Sequence, residues 1–200
     1  ILIAGCGTGQ HSIDTAARFK NAKVLAIDLS LSSLAYAQRK TEALGVQNLE
    51  YMQADLLDLG QLNKTFDIIE SSGVLHHMEK PMAGWKVLVS CLKVGGLMKI
   101  GLYSELARQH IAKMREEIQQ LNTETDHIGM KRFRNGVIRS KAPHHQLIIS
   151  SPDFHSMGSL RDLLFHVQEH RFTIPQIQHC LTKLGLKFCG FEVGIITQDF

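Results

Sequence analysis

Three glycines and two acidic residues have a spacing in this sequence that suggests chemistry. Gly5, Gly7 and Gly9 alternate directly after a short apolar run, and glycine lets a backbone turn tightly against a ligand with no Cβ in the way. Asp28 ends a second apolar run and Asp55 ends a third. A carboxylate at the end of the second strand can accept both hydroxyls of a ribose. The pattern therefore predicts a site for a nucleotide-like cofactor.

The spacing of the glycines separates two cofactor classes. A dinucleotide-binding turn follows G-x-G-x-x-G, which would require glycine at position 10. Gln10 stands there, and the third glycine comes one residue earlier. The order G-x-G-x-G disfavours an NAD-dependent oxidoreductase. That class stays open as an alternative, because it shares the strand, the turn and the acid.

Two adjacent histidines, His76 and His77, follow the fourth apolar run. Open α/β sheets bind ligands beyond the carboxyl ends of their strands, and a near-neutral pKa suits a general base. One of the two is therefore a candidate base that faces the substrate. The alternative is a residue that packs beneath the loop.

The remaining histidines predict no metal site. His166 and His170 lie four residues apart on a predicted helix, but no acidic partner has the spacing of a metalloprotease motif. His144 and His145 follow a proline in a predicted loop, where we expect them to be solvated.

Alternating strands and helices must position these residues. Strands are predicted over residues 1–4, 22–28, 49–54, 66–71 and 97–103, with helices over 11–19, 30–44 and 81–92. Ser30 is the expected cap of the second helix, and Gly95-Gly96 is expected to end the third. This order predicts a parallel sheet covered on both faces.

The motifs resemble those of the class I S-adenosylmethionine-dependent methyltransferases over roughly residues 1–103. The glycine turn resembles their first motif, and F-D-x-I followed by V-L-H-H resembles their motif after the fourth strand. The resemblance implies a doubly wound, mostly parallel, Rossmann-like α/β sheet and S-adenosylmethionine as the cofactor. It implies that the glycines admit the methionine part, Asp28 the ribose and Asp55 the adenine, with Ser71 and Ser72 at the reactive end. The predicted cofactor-binding residues are Gly5, Cys6, Gly7, Thr8, Gly9, Gln10, Asp28, Leu29, Asp55, Leu56, Ser71 and Ser72.

The implied reaction is methyl transfer to an O, N or C nucleophile of a small molecule or a protein side chain. The Asn/Asp-Pro-Pro-aromatic tetrad of base methylation is missing after the fourth strand, and no Pro-Cys pair occurs. Nucleic-acid acceptors are therefore disfavoured. Cys6 is expected to be a small buried residue rather than a nucleophile. A non-catalytic S-adenosylmethionine-binding module is the second alternative.

The second half predicts a helical insertion over residues 104–173, followed by a last helix and an edge strand over 174–200. Helices are predicted over 105–121, 125–138, 154–167 and 173–185, and a last strand over 186–193. Thr173 is the expected cap of the last of these helices, and Gly185 is its expected end. Five cations between 131 and 141 are better explained by a solvated helix face than by a nucleic-acid patch, because the net charge is only +3.

Composition bounds the protein class. The apolar content of 44% and the charged content of 20% are ordinary for a globular domain, and no apolar run approaches the ~20 residues of a membrane span. The four cysteines form no C-x-x-C pair, which favours a reducing cytoplasm. The chain begins inside a strand, so we expect a piece of a longer polypeptide. Residues 159–173 resemble a segment of bacterial methyltransferase domains attached to tetratricopeptide repeats, which implies a repeat domain upstream.

Overall fold

The structure, a computed structural model, describes residues 1–192 of the chain. Its centre is a five-stranded parallel sheet with the order β3-β2-β1-β4-β5. The strands are β1 (Leu2–Ala4), β2 (Val24–Asp28), β3 (Leu49–Gln53), β4 (Phe66–Ser72) and β5 (Leu92–Gly101). The predicted doubly wound, Rossmann-like α/β fold is confirmed, and the strand order reverses between β1 and β4, where such sheets bind their ligands.

Helices cover both faces of the sheet. Along β1, Leu2 and Ala4 pack on one side and Ile3 on the other, and all three are at most 2% exposed. Helices α1 (Gln10–Arg18) and α2 (Leu31–Ala43) lie on the Ile3 side, and α3 (Pro81–Ser90) and α8 (Ile174–Leu184) on the opposite side. Burial on both faces explains why the strands are apolar runs rather than alternating ones.

Short polar residues fix the helix ends where the sequence predicts them. The Ser30 hydroxyl accepts the N–H of Ser33 at the start of α2. Thr173 and Gln176 form a reciprocal capping box at the start of α8, and Gly185 ends that helix in the left-handed region. Each cap satisfies backbone groups that the helix itself leaves unpaired.

A helical insertion follows the sheet and has a hydrophobic core of its own. Its helices are α4 (Gln109–Gln120), α5 (His127–Arg139), α6 (Pro143–Ile149) and α7 (Met157–Leu164). Their buried side chains include Met114, Phe133, Ile148 and Leu160. A short parallel pair, β6 (Tyr103–Ser104) and β7 (Arg171–Phe172), lies at the two ends of the insertion. The division of the chain at residues 103 and 173 stays a prediction about domain organisation.

The glycine pair Gly95-Gly96 does not end a helix. Helix α3 ends earlier, and β5 begins at Leu92 and runs through both glycines. The register with β4 shifts between Phe66, which pairs with Leu92, and Ile68, which pairs with Leu97. The extra residues form a bulge, where glycine is also favoured, and this alternative use explains the wrong prediction.

Two further predictions in the second half are wrong. The helix predicted over 154–167 begins at Met157 and ends at Leu164, so His166 and His170 do not share a helical face. The strand predicted over 186–193 is not formed in residues 186–192, and Val193 lies outside the described residues. Within residues 1–192, no helix is both long and apolar enough to cross a membrane.

Candidate functional site

The glycine turn lies at the carboxyl end of β1, close to the loop after β4. Gly5 has a φ of +84° and Gly7 one of +51°, values that L side chains rarely adopt. The N–H groups of Gly5 and Cys6 both donate to the Ile27 carbonyl oxygen at 2.9 Å. A Cβ on Gly5 would lie only 2.0 Å from Cγ2 of Val74. Glycine at position 5 therefore lets the loop after β4 rest on the turn.

Gly7 faces open space, unlike Gly5. In the described part of the chain, no heavy atom beyond its immediate neighbours lies within 4 Å of a Cβ built on Gly7. Its N–H donates to Oδ2 of Asp28 at 2.7 Å. The turn therefore combines an uncovered backbone with a carboxylate held directly against it.

Both oxygens of Asp28 are fixed by backbone donors. Oδ1 accepts the N–H of Ser30 at 2.9 Å, while Oδ2 accepts that of Gly7. A carboxylate has about four lone-pair positions, so each oxygen can accept one more hydrogen bond. Asp28 is thus oriented and still able to accept two hydroxyl groups.

Asp55 lies at the same edge of the sheet, after β3. Its Oδ1 accepts the N–H of Leu57 at 2.9 Å and begins a short 3₁₀ helix, Leu56–Leu62. The Ala54 N–H donates to the Asp28 carbonyl oxygen at 3.2 Å, which ties the ends of β2 and β3 together. Leu56 is buried in the core, whereas Leu29 is 66% exposed beside Asp28. Leu29 is therefore free to cover an apolar face of a ligand.

The two serines at the end of β4 differ in their surroundings. The Ser71 hydroxyl is buried and donates to the Ala4 carbonyl oxygen at 3.0 Å. Ser72 is exposed. The hydroxyl of Ser71 therefore links β4 to β1, while Ser72 is accessible to a bound molecule.

His76 is fully enclosed between the sheet and the insertion. It is 1% exposed and stacks on Tyr103 with ring centroids 3.7 Å apart. Neither ring nitrogen has a hydrogen-bond partner among residues 1–192. Burial, with a smaller contribution from neighbouring His77, lowers the pKa of His76 to about 4, so the ring is neutral at pH 7.

His77 is partly exposed and has a defined tautomer. Its Nδ1 lies 2.9 Å from the Gln168 carbonyl oxygen, and a carbonyl only accepts, so Nδ1 carries the hydrogen. In the neutral ring, Nε2 then has a free lone pair. Burial lowers the pKa of His77, opposed in part by the contact with Gln168. A neutral imidazole with a free lone pair can accept a proton.

A segment that the sequence does not single out covers these histidines. The segment 166–171 follows α7, and its His170 N–H donates to the His76 carbonyl oxygen at 2.7 Å. The ring of His166 stacks on His77 at 3.9 Å. The insertion thus contacts the loop after β4 directly, and it does so through residues without helical periodicity.

A buried ion pair holds the segment 166–171 in place. Glu169, whose side chain is 2% exposed, accepts two hydrogen bonds from Arg108 at 3.0 and 2.7 Å. Arg115 lies 3.7 Å from the same carboxylate, and the Arg108 guanidinium stacks 3.6 Å from the centre of the Tyr103 ring. A bidentate, buried pair is strong and directional. Because Arg108 and Glu169 are 61 residues apart in the sequence, no local sequence pattern predicts this pair.

A second pair missed by the sequence analysis lies beside the glycine turn. Glu70 on β4 contacts His11, which is in the first turn of α1. The sequence marks this pair only weakly, because Glu70 is one of two carboxylates in β4, together with Asp67. The contact connects the start of α1 to β4 and so helps to fix the turn between β1 and α1.

Cys6 has the environment of a structural residue. It is 8% exposed, and burial, with the nearby Asp28 carboxylate, raises the pKa of its thiol to about 12. A thiol with that pKa is not ionised at neutral pH and is a poor nucleophile. The expectation of a small buried residue agrees with these surroundings.

His144 and His145 are not in a solvated loop, so that expectation is wrong. They lie in the first turn of α6, with side chains 22% and 13% exposed. Both rings contact the carboxylate of Glu117 on α4. The proline before them begins a helix rather than a loop, as is common at the first helical position.

Comparison with known families finds a match for the first half of the chain. Residues 1–96 match a family model described as a methyltransferase domain. An uncharacterized protein of Synechococcus sp., syc1184_c, is 34% identical over 96% of this chain and 48% of its own length. Malonyl-[acyl-carrier protein] O-methyltransferase of Halalkalibacterium halodurans is 31% identical over 49% of this chain and 36% of its own length. The chain therefore spans about half or less of the length of these curated relatives.

Solved structures extend the likeness to the insertion. PKMT2 from Rickettsia typhi in complex with AdoHcy superposes with a TM-score of 0.72 at 17% identity, over 90% of this chain and 37% of that one. A second structure of PKMT2 gives a TM-score of 0.75 at 18% identity over 92% of this chain and 38% of that one. These matches show that the fold, including most of the insertion, occurs in a known protein.

Proposed function

We propose that this chain, whose residues 1–96 match a methyltransferase-domain family model, is a class I S-adenosylmethionine-dependent methyltransferase. It binds S-adenosylmethionine at the glycine turn and transfers the methyl group to an O, N or C nucleophile of a small molecule or a protein side chain. The observation that carries the proposal is the Asp28 carboxylate held by the N–H of Gly7, next to uncovered backbone. An NAD-dependent oxidoreductase would require glycine at position 10 of its turn, where this chain has Gln10.

The residues present fit the cofactor. Gly7 offers backbone that a ligand can approach closely, and the two free lone pairs of Asp28 suit the vicinal hydroxyls of a ribose. Leu29 offers an exposed apolar side chain beside Asp28, and Asp55 offers a carboxylate oxygen beyond β3, where an exocyclic amine would donate. These four residues are proposed to hold the nucleoside part.

When bound, S-adenosylmethionine would supply a methyl group on a sulfonium, activated for transfer to the acceptor's lone pair with the neutral thioether as leaving group. The protein needs to align the acceptor, remove its proton where it carries one, and exclude water. Nε2 of His77 is the proposed proton acceptor, because its Nδ1 is occupied by Gln168. His76, enclosed and neutral, is proposed to support His77 from beneath.

The ion pair beside His77 does not narrow the class of methyl acceptor. The segment 166–171 covers His76 and His77, and its Glu169 forms a neutral pair with Arg108, which lies outside the segment. This pair therefore gives little charge preference toward an acceptor. The names of two relatives, the malonyl-[acyl-carrier protein] O-methyltransferase and phosphoethanolamine N-methyltransferase 1 of Arabidopsis thaliana, include both oxygen and nitrogen acceptors.

Calorimetry with the two competing cofactors tests the proposal. We expect purified protein to bind S-adenosylmethionine at a single site and to ignore NAD. Binding of NAD without S-adenosylmethionine would contradict the proposal. A second step measures S-adenosylhomocysteine release across a panel of amines, carboxylates, hydroxyls and protein acceptors. Binding without release on any acceptor would favour the non-catalytic module.

A further inference from the structure

One cluster of ligating side chains in the insertion takes no part in the proposed methyl transfer. Nε2 of His144 lies 2.5 Å from Oε1 of Glu117, and Nε2 of His145 lies 2.7 Å from Oε2. Each of the three side chains has one ligand atom that lies within 4.8 Å of the ligand atoms of the other two. Both rings turn the same nitrogen to one carboxylate, so the donors converge on one point.

From this convergence we propose that Glu117, His144 and His145 bind a divalent transition-metal ion, with Zn²⁺ as the best match. Two imidazoles and one carboxylate are a donor set that zinc accepts, at Zn–N and Zn–O distances of about 2.0–2.2 Å. Ligand atoms in such a site are farther apart than the present hydrogen bonds, so the side chains must separate slightly as the ion enters. The metal replaces the two hydrogens on Nε2, and in each neutral ring the hydrogen moves to Nδ1.

Charge and burial favour a cation at this point. The Glu117 side chain is 32% exposed, and those of His144 and His145 are 22% and 13% exposed. A partly desolvated carboxylate beside two imidazoles attracts a cation more strongly than a fully exposed one does.

The site has an approach from solvent. Glu117 and His145 line a cleft of about 460 Å³ between α4 and α5, whose other walls include Asn122 and Arg132. Three protein ligands leave a fourth zinc position for water or a small anion. The cleft gives this position access to solvent, and Arg132 adds a positive charge that suits an anion there.

A metal at this point would connect two helices of the insertion. Glu117 is on α4, whereas both histidines are on α6, 27 and 28 residues later. Because α4 also carries Arg115, which contacts Glu169, the site lies on the helix that supports the segment 166–171. The inference does not depend on the proposed function, since none of its three ligands belongs to the cofactor turn.

Zinc titration of the untagged, chelator-treated protein tests the site, with calorimetry for affinity and Co²⁺ absorption for coordination. We expect one ion to bind per chain. Each of E117Q, H144A and H145A should weaken zinc binding by at least about 10-fold. Zinc should raise the melting temperature of the wild type but not that of E117Q.

Matched controls separate this cluster from the other histidines. E116Q changes the exposed neighbour of Glu117, and H127A removes an exposed histidine of the same insertion; both should bind zinc like the wild type. Melting curves without metal show whether each variant is folded. Two results would overturn the proposal and leave a hydrogen-bonded cluster only. One is zinc binding of wild-type affinity in a folded triple variant that combines E117Q, H144A and H145A. The other is no zinc binding by the wild type at micromolar concentrations.

Discussion

The glycine turn and the segment 166–171 both meet the loop after β4, but they are built in opposite ways. The turn uses backbone groups: the N–H of Gly7 fixes Asp28, and the absence of a Cβ at Gly5 admits Val74. The segment uses side-chain pairs distant in sequence, such as Arg108 with Glu169. A site made from backbone can be recognised in a sequence, whereas one made from distant side-chain pairs depends on the completed fold.

The largest expected effect comes from removing the carboxylate whose ion pairs hold the segment 166–171. E169A removes the carboxylate that both Arg108 and Arg115 contact and leaves two partly buried cations without it. Loss of one partner from a buried ion pair costs about 3–5 kcal/mol. Denaturant unfolding measures the change, with E116Q as the exposed control. A loss below ~1 kcal/mol would mean that the ion pair does not hold the segment.

The second expected effect is a pH dependence of folding stability, which arises from His76 beneath the segment 166–171. The pKa of His76 is lowered from 6.5 to about 4 in the folded protein, so the unfolded chain binds a proton more readily. The contribution of His76 is fully present above pH 6.5 and is lost as the pH falls through 4, by about 3 kcal/mol in total.

The variant H76F isolates that contribution, because it keeps an aromatic ring against Tyr103 and removes the titrating group. We expect its free energy of unfolding to fall less between pH 7 and pH 4 than that of the wild type. Identical pH profiles for the two proteins would show that His76 titrates normally and is not enclosed as described.

The third prediction compares the loss of stability when each of two glycines of the turn is replaced by alanine. G5A places a Cβ 2.0 Å from Val74, in addition to an unfavourable φ, and should cost about 2–3 kcal/mol of stability. G7A also has a positive φ, +51°, but its Cβ would meet no neighbouring atom, so its cost should be about 1 kcal/mol. Its main effect should be on cofactor affinity. Equal stability losses in thermal unfolding would contradict this distinction.

The last effect is on cofactor affinity rather than on stability, and it concerns one carboxylate of the proposed site. D28A should weaken S-adenosylmethionine binding by about 1–3 kcal/mol, through loss of charge-assisted hydrogen bonds. D14A, which changes an exposed acid on α1, serves as the control. Unchanged affinity of D28A in calorimetry would remove Asp28 from the site.

The sequence predicted the sheet and the glycine turn because their determinants are local. Apolar runs buried on both faces gave the strands, and short caps such as Ser30 and Thr173 gave the helix starts. Asp28 was singled out because the end of a strand and its acid are adjacent in sequence. The roles of Asp28, Asp55 and the other cofactor residues stay predictions until a ligand is observed.

The insertion was predicted less accurately because its residues acquire their roles from distant partners. His77 meets Gln168 91 residues away, and no sequence period marks that contact. Apolar periodicity continued the α7 prediction beyond Leu164, although residues 166–170 have irregular backbone and are held by tertiary contacts. His144 and His145 were assigned to a loop because Pro143 can either break a helix or begin one.

A crystal structure with S-adenosylhomocysteine would show whether the glycine turn binds the cofactor. We expect both ribose hydroxyls to lie within hydrogen-bond distance of the Asp28 carboxylate, with the adenine beside Asp55 and the backbone of Gly7 against the ligand. We also expect the sulfur to face the loop that carries His77. A ligand bound elsewhere, or at the turn without contact to Asp28, would contradict the proposed site.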